Sequence, residues 1–228
     1  MRLVRVIVSL LAVLAPIAAI DARTDPQPAP PGGSPSGQRG APPPPAPAPG
    51  QRGGGGGGRG RGAIQVMTLT STAWSDGGAI PAKYTQAGDD VSPPLAWSGA
   101  PEGTAGFVLI VHDVDAAIGN GTDDVLQWMI WNIPATAAGL PEHVPQGPTL
   151  ADGARQISAT GPVYRGPGAL ASGPAHHYVF ELFALDAMLD TPAVGAPPPQ
   201  LRAAVVAAMA GHVRGKAVLV GLFKRSAS

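Results

Sequence analysis

Four largely apolar runs, in which Glu181 is the one acidic position, constrain the fold of this 228-residue chain more than any other feature. Each run has the length of a β-strand, and the four are rich in β-branched and aromatic residues. A continuous apolar run of this length is typical of a strand that is covered on both faces. The sequence therefore predicts a domain built around buried strands. The runs are Gly106–His112, Leu126–Ile133, Tyr178–Leu185 and Ala217–Phe223.

One helix is predicted, over Pro199–Gly211. Leu201, Val205 and either Ala208 or Met209 recur at helical spacing, and prolines precede the segment. Ile64–Thr70 alternates apolar and polar residues and is predicted to be the first strand. Because strands outnumber helices, we expect a mostly β domain with a small helical accessory.

The composition changes abruptly near Ala63. Residues 23–62 contain eleven prolines and thirteen glycines and show no apolar periodicity. Such a segment cannot bury enough surface to offset the entropy of ordering it, so it is predicted to be a disordered linker. Residues 63–228 are long enough to form one domain with its own core.

The first 22 residues have the layout of a secretory signal peptide. Arg2 and Arg5 precede the apolar run Val6–Leu14, and small residues follow as far as Ala22. We expect export to the periplasm or secretion, or anchoring to the membrane if the segment is retained. The chain has no cysteine, so an exported domain must be stabilised by its packed core and not by disulfides.

The two parts of the chain carry opposite charge. The linker has five arginines against one aspartate, whereas residues 63–228 have eight basic and thirteen acidic residues. The acidic balance argues against a nucleic-acid surface on the domain, since phosphate neutralisation needs clustered cations. The arginine–glycine run in the linker resembles a nucleic-acid tail, but in an exported chain we interpret it as a spacer.

Asp113 and Asp115 directly follow the first apolar run. In an extended chain, residues two apart point to the same face, so both carboxylates would line one side of a cleft. Two close carboxylates raise the pKa of one of them, which suits a general acid or a shared proton. The alternative is that both lie in a solvated loop and cap local turns.

His176 and Tyr178 open the third run and, by alternation, share one face, with His177 on the other. An imidazole and a phenol side by side can donate hydrogen bonds to phosphate or carboxylate. The alternative is an ordinary strand start in which a neighbouring carboxylate satisfies His176.

Metal binding and covalent catalysis have weaker support. His112, Asp113, Asp115 and His176 are suitable ligand types, but no pair has the spacing of a hydrolytic zinc motif. The chain has no cysteine and no G-x-S-x-G turn. We therefore expect no metal, no cofactor and no enzymatic activity.

An ordered set of motifs resembles the phosphatidylethanolamine-binding proteins, and most closely their bacterial, Raf-kinase-inhibitor-like branch. The resemblance covers about Ile64 to Arg225. The motifs are SPPLAW (Ser92–Trp97), HDVDAA (His112–Ala117), QWMIWNIP (Gln127–Pro134), YRGP (Tyr164–Pro167), HHYVFELFALD (His176–Asp186) and GHVRGKAVLVGLFKR (Gly211–Arg225).

This resemblance implies a Greek-key β-sandwich with a few short helices and a small pocket for phosphate, acetate or a phospholipid headgroup. Four positions depart from the family pattern, where Val114 and Ala117 replace prolines, Gln127 replaces a histidine and His177 replaces an arginine. Without that histidine, we expect weaker binding of a doubly charged phosphate. By position, the ligand-binding residues would be Asp113, Asp115, Gln127, His176, Tyr178, Trp97 and Gly166.

The leading functional hypothesis is an exported, non-enzymatic protein that binds a small anion or a phospholipid headgroup. One alternative is a protein-interaction module that inhibits a partner enzyme, which is suggested by analogy of fold alone. A second alternative is a hydrolase that uses Asp113 and Asp115 as acid and base. The sequence leaves the ligand, any partner protein and the formation of a homodimer open.

Overall fold

The computed structural model describes residues 63–191 and 195–227. The predicted signal peptide and linker lie outside these residues. Ten strands, one α-helix and a 3₁₀ turn at Ala82–Tyr84 make up the described part, so the prediction of a mostly β domain is confirmed. The elements are β1 (Gln65–Val66), β2 (Thr68–Thr70), β3 (Gly78–Ala79), β4 (Leu95–Ser98), β5 (Gly106–Ile118), β6 (Asp123–Pro134), β7 (Gly139–Leu140), β8 (Arg155–Ile157), β9 (His176–Leu185), α1 (Pro198–Met209) and β10 (Val213–Phe223).

The strands form two sheets. The larger has the order β1-β10-β9-β5-β6-β8, and β3 pairs with β10 as well. All of its neighbours are antiparallel except β1 and β3, which run parallel to β10. The smaller sheet has the order β2-β4-β7 and is antiparallel. The four predicted apolar runs are thus β5, β6, β9 and β10, the long strands of the larger sheet.

Both faces of the larger sheet are covered, which explains why the central stretches of its long strands are mostly apolar. On β5, Phe107, Leu109 and Val111 belong to the core between the two sheets. The intervening Val108 and Ile110 belong to a second core under helix α1. Because successive side chains of β5 point to opposite faces, they contribute to both cores, and the first half of β5 has no polar face.

Helix α1 covers the outer face of the larger sheet through residues at helical spacing. Leu201, Val205 and Met209 are buried, as the periodicity predicts, and they pack with Val108 and Trp131 among others. Burying each of these side chains contributes about 1.5–3 kcal/mol. The helix begins at Pro198, where a missing N–H costs nothing.

The prediction of one strand over Ile64–Thr70 is wrong in one respect. The segment changes sheets at Met67, so that β1 pairs with β10 and β2 pairs with β4. The Met67 N–H still donates to the Lys216 carbonyl (2.8 Å), and its side chain is buried between the sheets. The alternating pattern is the same on both sides of such a crossing, so periodicity alone does not reveal it.

Candidate functional site

A buried carboxylate and a half-buried imidazole form the centre of the candidate site. His176 Nδ1 lies 2.9 and 3.0 Å from the two carboxylate oxygens of Asp113. Asp113 is only 4% exposed, and its Oδ1 also accepts from the N–H groups of Asp115 and Ala116, both at 3.1 Å. The carboxylate therefore fixes the His176 ring, whose Nε2 has no hydrogen-bond partner within residues 63–191 and 195–227.

Tyr178 lies on the same face of β9 but is fully buried. Its hydroxyl accepts hydrogen bonds from the N–H groups of Gly168 and Ala169, both at 3.1 Å. Burial, with the nearby Asp113 charge, raises the pKa of Tyr178 to about 12, so the phenol stays protonated. Tyr178 was predicted to donate to a ligand, and here its oxygen holds the Tyr164–Ala169 loop beside the site.

Hydrogen bonds hold the Tyr164–Ala169 loop at both ends and in the middle. The Tyr164 hydroxyl donates to the Tyr84 carbonyl (2.8 Å), and the Gly166 N–H donates to Asp90 Oδ1 (2.7 Å). A Cβ at Gly166 would lie 2.4 Å from the Tyr84 carbonyl oxygen and 2.6 Å from Asp90 Oδ1. Glycine is therefore required at this position by close backbone approach, and the loop backbone has little freedom to move.

Gln127 supports this loop from beneath. The strand register skips it, since Trp128 pairs with Val111 while Leu126 pairs with His112. This bulge frees Gln127 from the ladder. With the amide oriented to suit the carbonyls that face it, its nitrogen donates to Arg165 (2.8 Å) and Gly166 (3.1 Å). Gln127 is 3% exposed, and its amide donor is used within the protein.

Asp115 forms a second, outer pair with His177. Its Oδ2 accepts from the His177 backbone N–H (2.6 Å) and lies 2.8 Å from Nδ1 of the same residue. These hydrogen bonds, the backbone one first, lower the pKa of Asp115. The expectation that Asp113 and Asp115 act as one pair on a cleft is not met, because β5 is irregular after Asp113 and each carboxylate has its own histidine.

Trp97 was predicted to be near the ligand, and this is wrong. It lies on β4 in the core between the sheets, where its Nε1–H donates to the Ala137 carbonyl (3.0 Å). Its ring packs against Phe107 at 5.4 Å between centroids. Phe107 precedes Asp113 by six residues of β5, or about 20 Å of strand. Its burial reflects core packing.

The accessible part of the site is small. The side chains of His176, Asp115 and His177 are 24%, 40% and 54% exposed, whereas Asp113, Gln127, Tyr178 and Gly166 are buried. The buried group therefore acts as a support for His176. No group of three or more metal-ligating side chains converges within the described ranges.

A second charged cluster lies on the helix face and was not predicted. His112 contacts Asp124 through Nδ1, and its Nε2 lies 3.3 Å from Glu181 Oε2. Arg202 of α1 binds both oxygens of Asp124, and Lys216 lies 2.5 Å from Glu181 Oε1. Burial lowers the pKa of His112, but its interactions with Glu181 and Asp124 raise it by more. His112, and after it Lys216, lowers the pKa of Glu181 to about 2.

Alternation could have suggested part of this cluster, because His112 and Glu181 share a face of adjacent strands. Two cavities of about 490 and 420 Å³ flank Arg202 on this face. Neither is lined by Asp113, His176 or Tyr178. Of the helices in the described ranges, none has both the length and the hydropathy needed to cross a membrane.

Comparison with known proteins places this arrangement in a family. Residues 70–224 match the family model described as phosphatidylethanolamine-binding protein. A UPF0098 protein of Methanothermobacter thermautotrophicus is 41% identical over 155 residues, which cover 67% of this chain and 95% of that protein. A UPF0098 protein of Aquifex aeolicus is 36% identical over 68% of this chain and 86% of its own length.

Solved structures agree with these matches. CT736 of Chlamydia trachomatis, a candidate phosphatidylethanolamine-binding protein homologue, superposes with a TM-score of 0.59 at 29% identity, covering 71% of this chain and 99% of its own. YbcL of Escherichia coli has the same TM-score at 22% identity, covering 70% and 99%, which supports the fold alone. The fold class inferred from the motifs is therefore confirmed, and this chain belongs to the phosphatidylethanolamine-binding protein family.

Proposed function

We propose that this chain is an exported, non-enzymatic protein that binds a small anion or a phospholipid headgroup at His176. The observation that carries the proposal is the fixed imidazole, which is held on one side by buried Asp113 and open on the other. When protonated, its Nε2–H donates a charge-assisted hydrogen bond to phosphate or carboxylate.

The support around His176 suits binding better than turnover. Asp113 and Asp115 each accept from their own histidine and from backbone N–H groups, so neither is poised to move a proton for a substrate. The Tyr178 phenol stays protonated and holds loop N–H groups. A site of this kind is preorganised, which lowers the entropic cost of binding.

Export rests on the first 22 residues and on one relative. Their charged start, apolar run and small-residue end are typical of a signal peptide. LppC of Mycobacterium tuberculosis, a candidate lipoprotein, is 33% identical over 68% of this chain. Amino-terminal sequencing of the mature protein from the producing cells tests this part. An intact Met1 in fractions outside the cytoplasm would leave the chain anchored by its first segment.

Binding is tested by thermal unfolding of the full chain with inorganic phosphate or phosphoethanolamine at millimolar concentration. A ligand that binds only the native state raises the melting temperature, and saturation at about 100 Kd stabilises by about 2.7 kcal/mol. His176→Ala should abolish the shift. Vesicles of phosphatidylcholine with and without phosphatidylethanolamine distinguish a lipid headgroup from a free anion.

His212→Ala is the matched control. His212 also pairs with an aspartate, Asp186, at 2.8 Å, but at the opposite end of the larger sheet. It should shift with phosphate as the wild type does. Absence of any ligand-induced shift in the wild type would overturn the proposal, and so would an unchanged shift in His176→Ala.

A further inference from the structure

The proposed anion site has little positive charge of its own. Asp113 is a carboxylate, the Tyr178 phenol stays protonated, and the Gln127 amide donor is used by the loop carbonyls. Arginine and lysine are the permanent cations that recognise such anions. The described residues include Arg165 in the Tyr164–Ala169 loop, and Lys224 and Arg225 directly after β10, whose end pairs with the start of β9.

The path of the carboxyl-terminal segment brings Arg225 to the site. Phe223, the last residue of β10, pairs with His176, the first residue of β9. Two residues later, the Arg225 N–H donates to the Ala169 carbonyl (3.0 Å), and the Ala169 N–H donates to the Tyr178 hydroxyl. Ala169 therefore connects the Arg225 backbone to the side chain of Tyr178, which shares a face of β9 with His176.

Alternation along the chain distinguishes Arg225 from Lys224. Phe223 belongs to the core between the sheets, on the face that also carries Tyr178 and His176. β10 ends at Phe223, and we infer that the extended path continues as far as the Arg225 N–H, which puts Arg225 on that face and Lys224 on the opposite one. Both residues are exposed, and neither has an ion-pair partner among residues 63–191 and 195–227.

We propose that Arg225 is a specificity-determining residue. It binds the anionic group of a phosphate ester or carboxylate, while His176 at the start of β9 contacts the same group. This inference rests on the proposed function. The guanidinium fork matches phosphate and carboxylate oxygens and remains charged at all pH values of interest.

The test is calorimetric titration of the full chain with inorganic phosphate and with phosphoethanolamine. Arg225→Gln should weaken binding about tenfold, the effect expected of one charged hydrogen bond at a partly solvated site. Lys224→Gln makes the same change of charge one residue away on the opposite face. It should change Kd by less than about twofold, since only long-range screening is altered.

A conservative variant separates direct contact from a structural role. Arg225→Lys keeps the positive charge and should restore part of the affinity that Arg225→Gln loses. The melting temperature without ligand should be unchanged in every variant, because both side chains are exposed.

Three outcomes decide the matter. If the wild type binds and His176→Ala abolishes binding, but Arg225→Gln binds like the wild type, the inference is overturned and the proposed function survives. Equal weakening in Arg225→Gln and Lys224→Gln also overturns it, because the effect is then that of net charge. If the wild type binds neither anion, the proposed function and this inference both fail.

Discussion

His112 and Asp113 are neighbours on β5 yet serve two different charged clusters. On the helix face, His112 lies between Asp124 and Glu181, and each of these carboxylates has a further cation, Arg202 or Lys216. On the other face, Asp113 binds one side of His176 and leaves the other side open. We call the group of His112, Asp124, Glu181, Arg202 and Lys216 the closed cluster, and the pair of Asp113 and His176 the open cluster.

The two clusters differ in the partners that a bound ligand would meet. In the closed cluster each carboxylate has both a histidine and a permanent cation, so a new charge would have to displace an existing partner. In the open cluster the buried groups fix an imidazole whose outer nitrogen has no partner in the described chain. The 24% exposure of the His176 side chain favours the open cluster as a ligand site, whereas a count of unmet hydrogen bonds does not. In the described residues the buried side-chain atom without a hydrogen-bond partner is His112 Nε2, which lies 3.3 Å from Glu181 Oε2.

The largest expected effect comes from breaking the closed cluster with Asp124→Ala. This change leaves Arg202 and His112 without their shared carboxylate, and we expect the free energy of unfolding to fall by about 2–3 kcal/mol. Urea unfolding measures it. Asp123→Ala is the control, since Asp123 is an exposed neighbour without an ion pair among the described residues, and its cost should be within about 0.5 kcal/mol. Phosphate affinity should be unchanged in both, and a loss in Asp124→Ala would contradict the separation of the clusters.

A smaller effect on stability, with a loss of binding, is expected for Tyr178→Phe. The variant leaves the N–H groups of Gly168 and Ala169 without an acceptor, at a cost of about 1–2 kcal/mol. The Tyr164–Ala169 loop should then be less ordered beside His176. Calorimetry with phosphate should show weaker binding. Unchanged affinity would mean that loop order does not contribute to the open site.

The smallest expected effect is a pH dependence of stability that His112→Gln removes. Because the pKa of His112 is raised in the folded state, its contribution is complete below the ordinary value of 6.5 and is lost as pH rises through the raised value. The pKa of Glu181 is lowered from 4.5 to about 2, so its contribution is lost as pH falls between these values. The closed cluster is therefore fully stabilising between about pH 4.5 and 6.5. Urea unfolding from pH 6 to 9 should show a decline in the wild type and a flatter profile in His112→Gln, and parallel profiles would contradict this assignment.

The sequence predicted the fold better than it predicted the roles of the site residues. Continuous apolar runs identify strands that are covered on both faces, and the Leu201–Val205–Met209 spacing identifies the helix, because both signals come from local periodicity. Whether Ile64–Thr70 stays in one sheet depends on where Met67 finds its partner, which is a tertiary property. The change of sheets could not be seen in the pattern.

The sequence predicted most of the residues that make up the candidate site, but not the way they contact one another. Asp113 and His176 do pair, and the motif order that indicated the family also located the pair. The spacing of Asp113 and Asp115 failed as a guide because a bulge interrupts β5 between Asp113 and Ile118. Trp97 was assigned by its motif, and its contacts with Phe107 and Ala137 show that it belongs to the core between the sheets and not to the site.

The pairing of β1 also has a practical consequence for every measurement described above. Gln65 pairs with Gly215, near the start of β10, whereas His176 pairs with Phe223 at its end, about 26 Å of strand away. An affinity tag or surface linkage placed before residue 63 would therefore join the domain far from His176. The same tag placed after Arg225 would begin within a few residues of Phe223, the strand partner of His176. Immobilisation for binding studies should use the amino-terminal side.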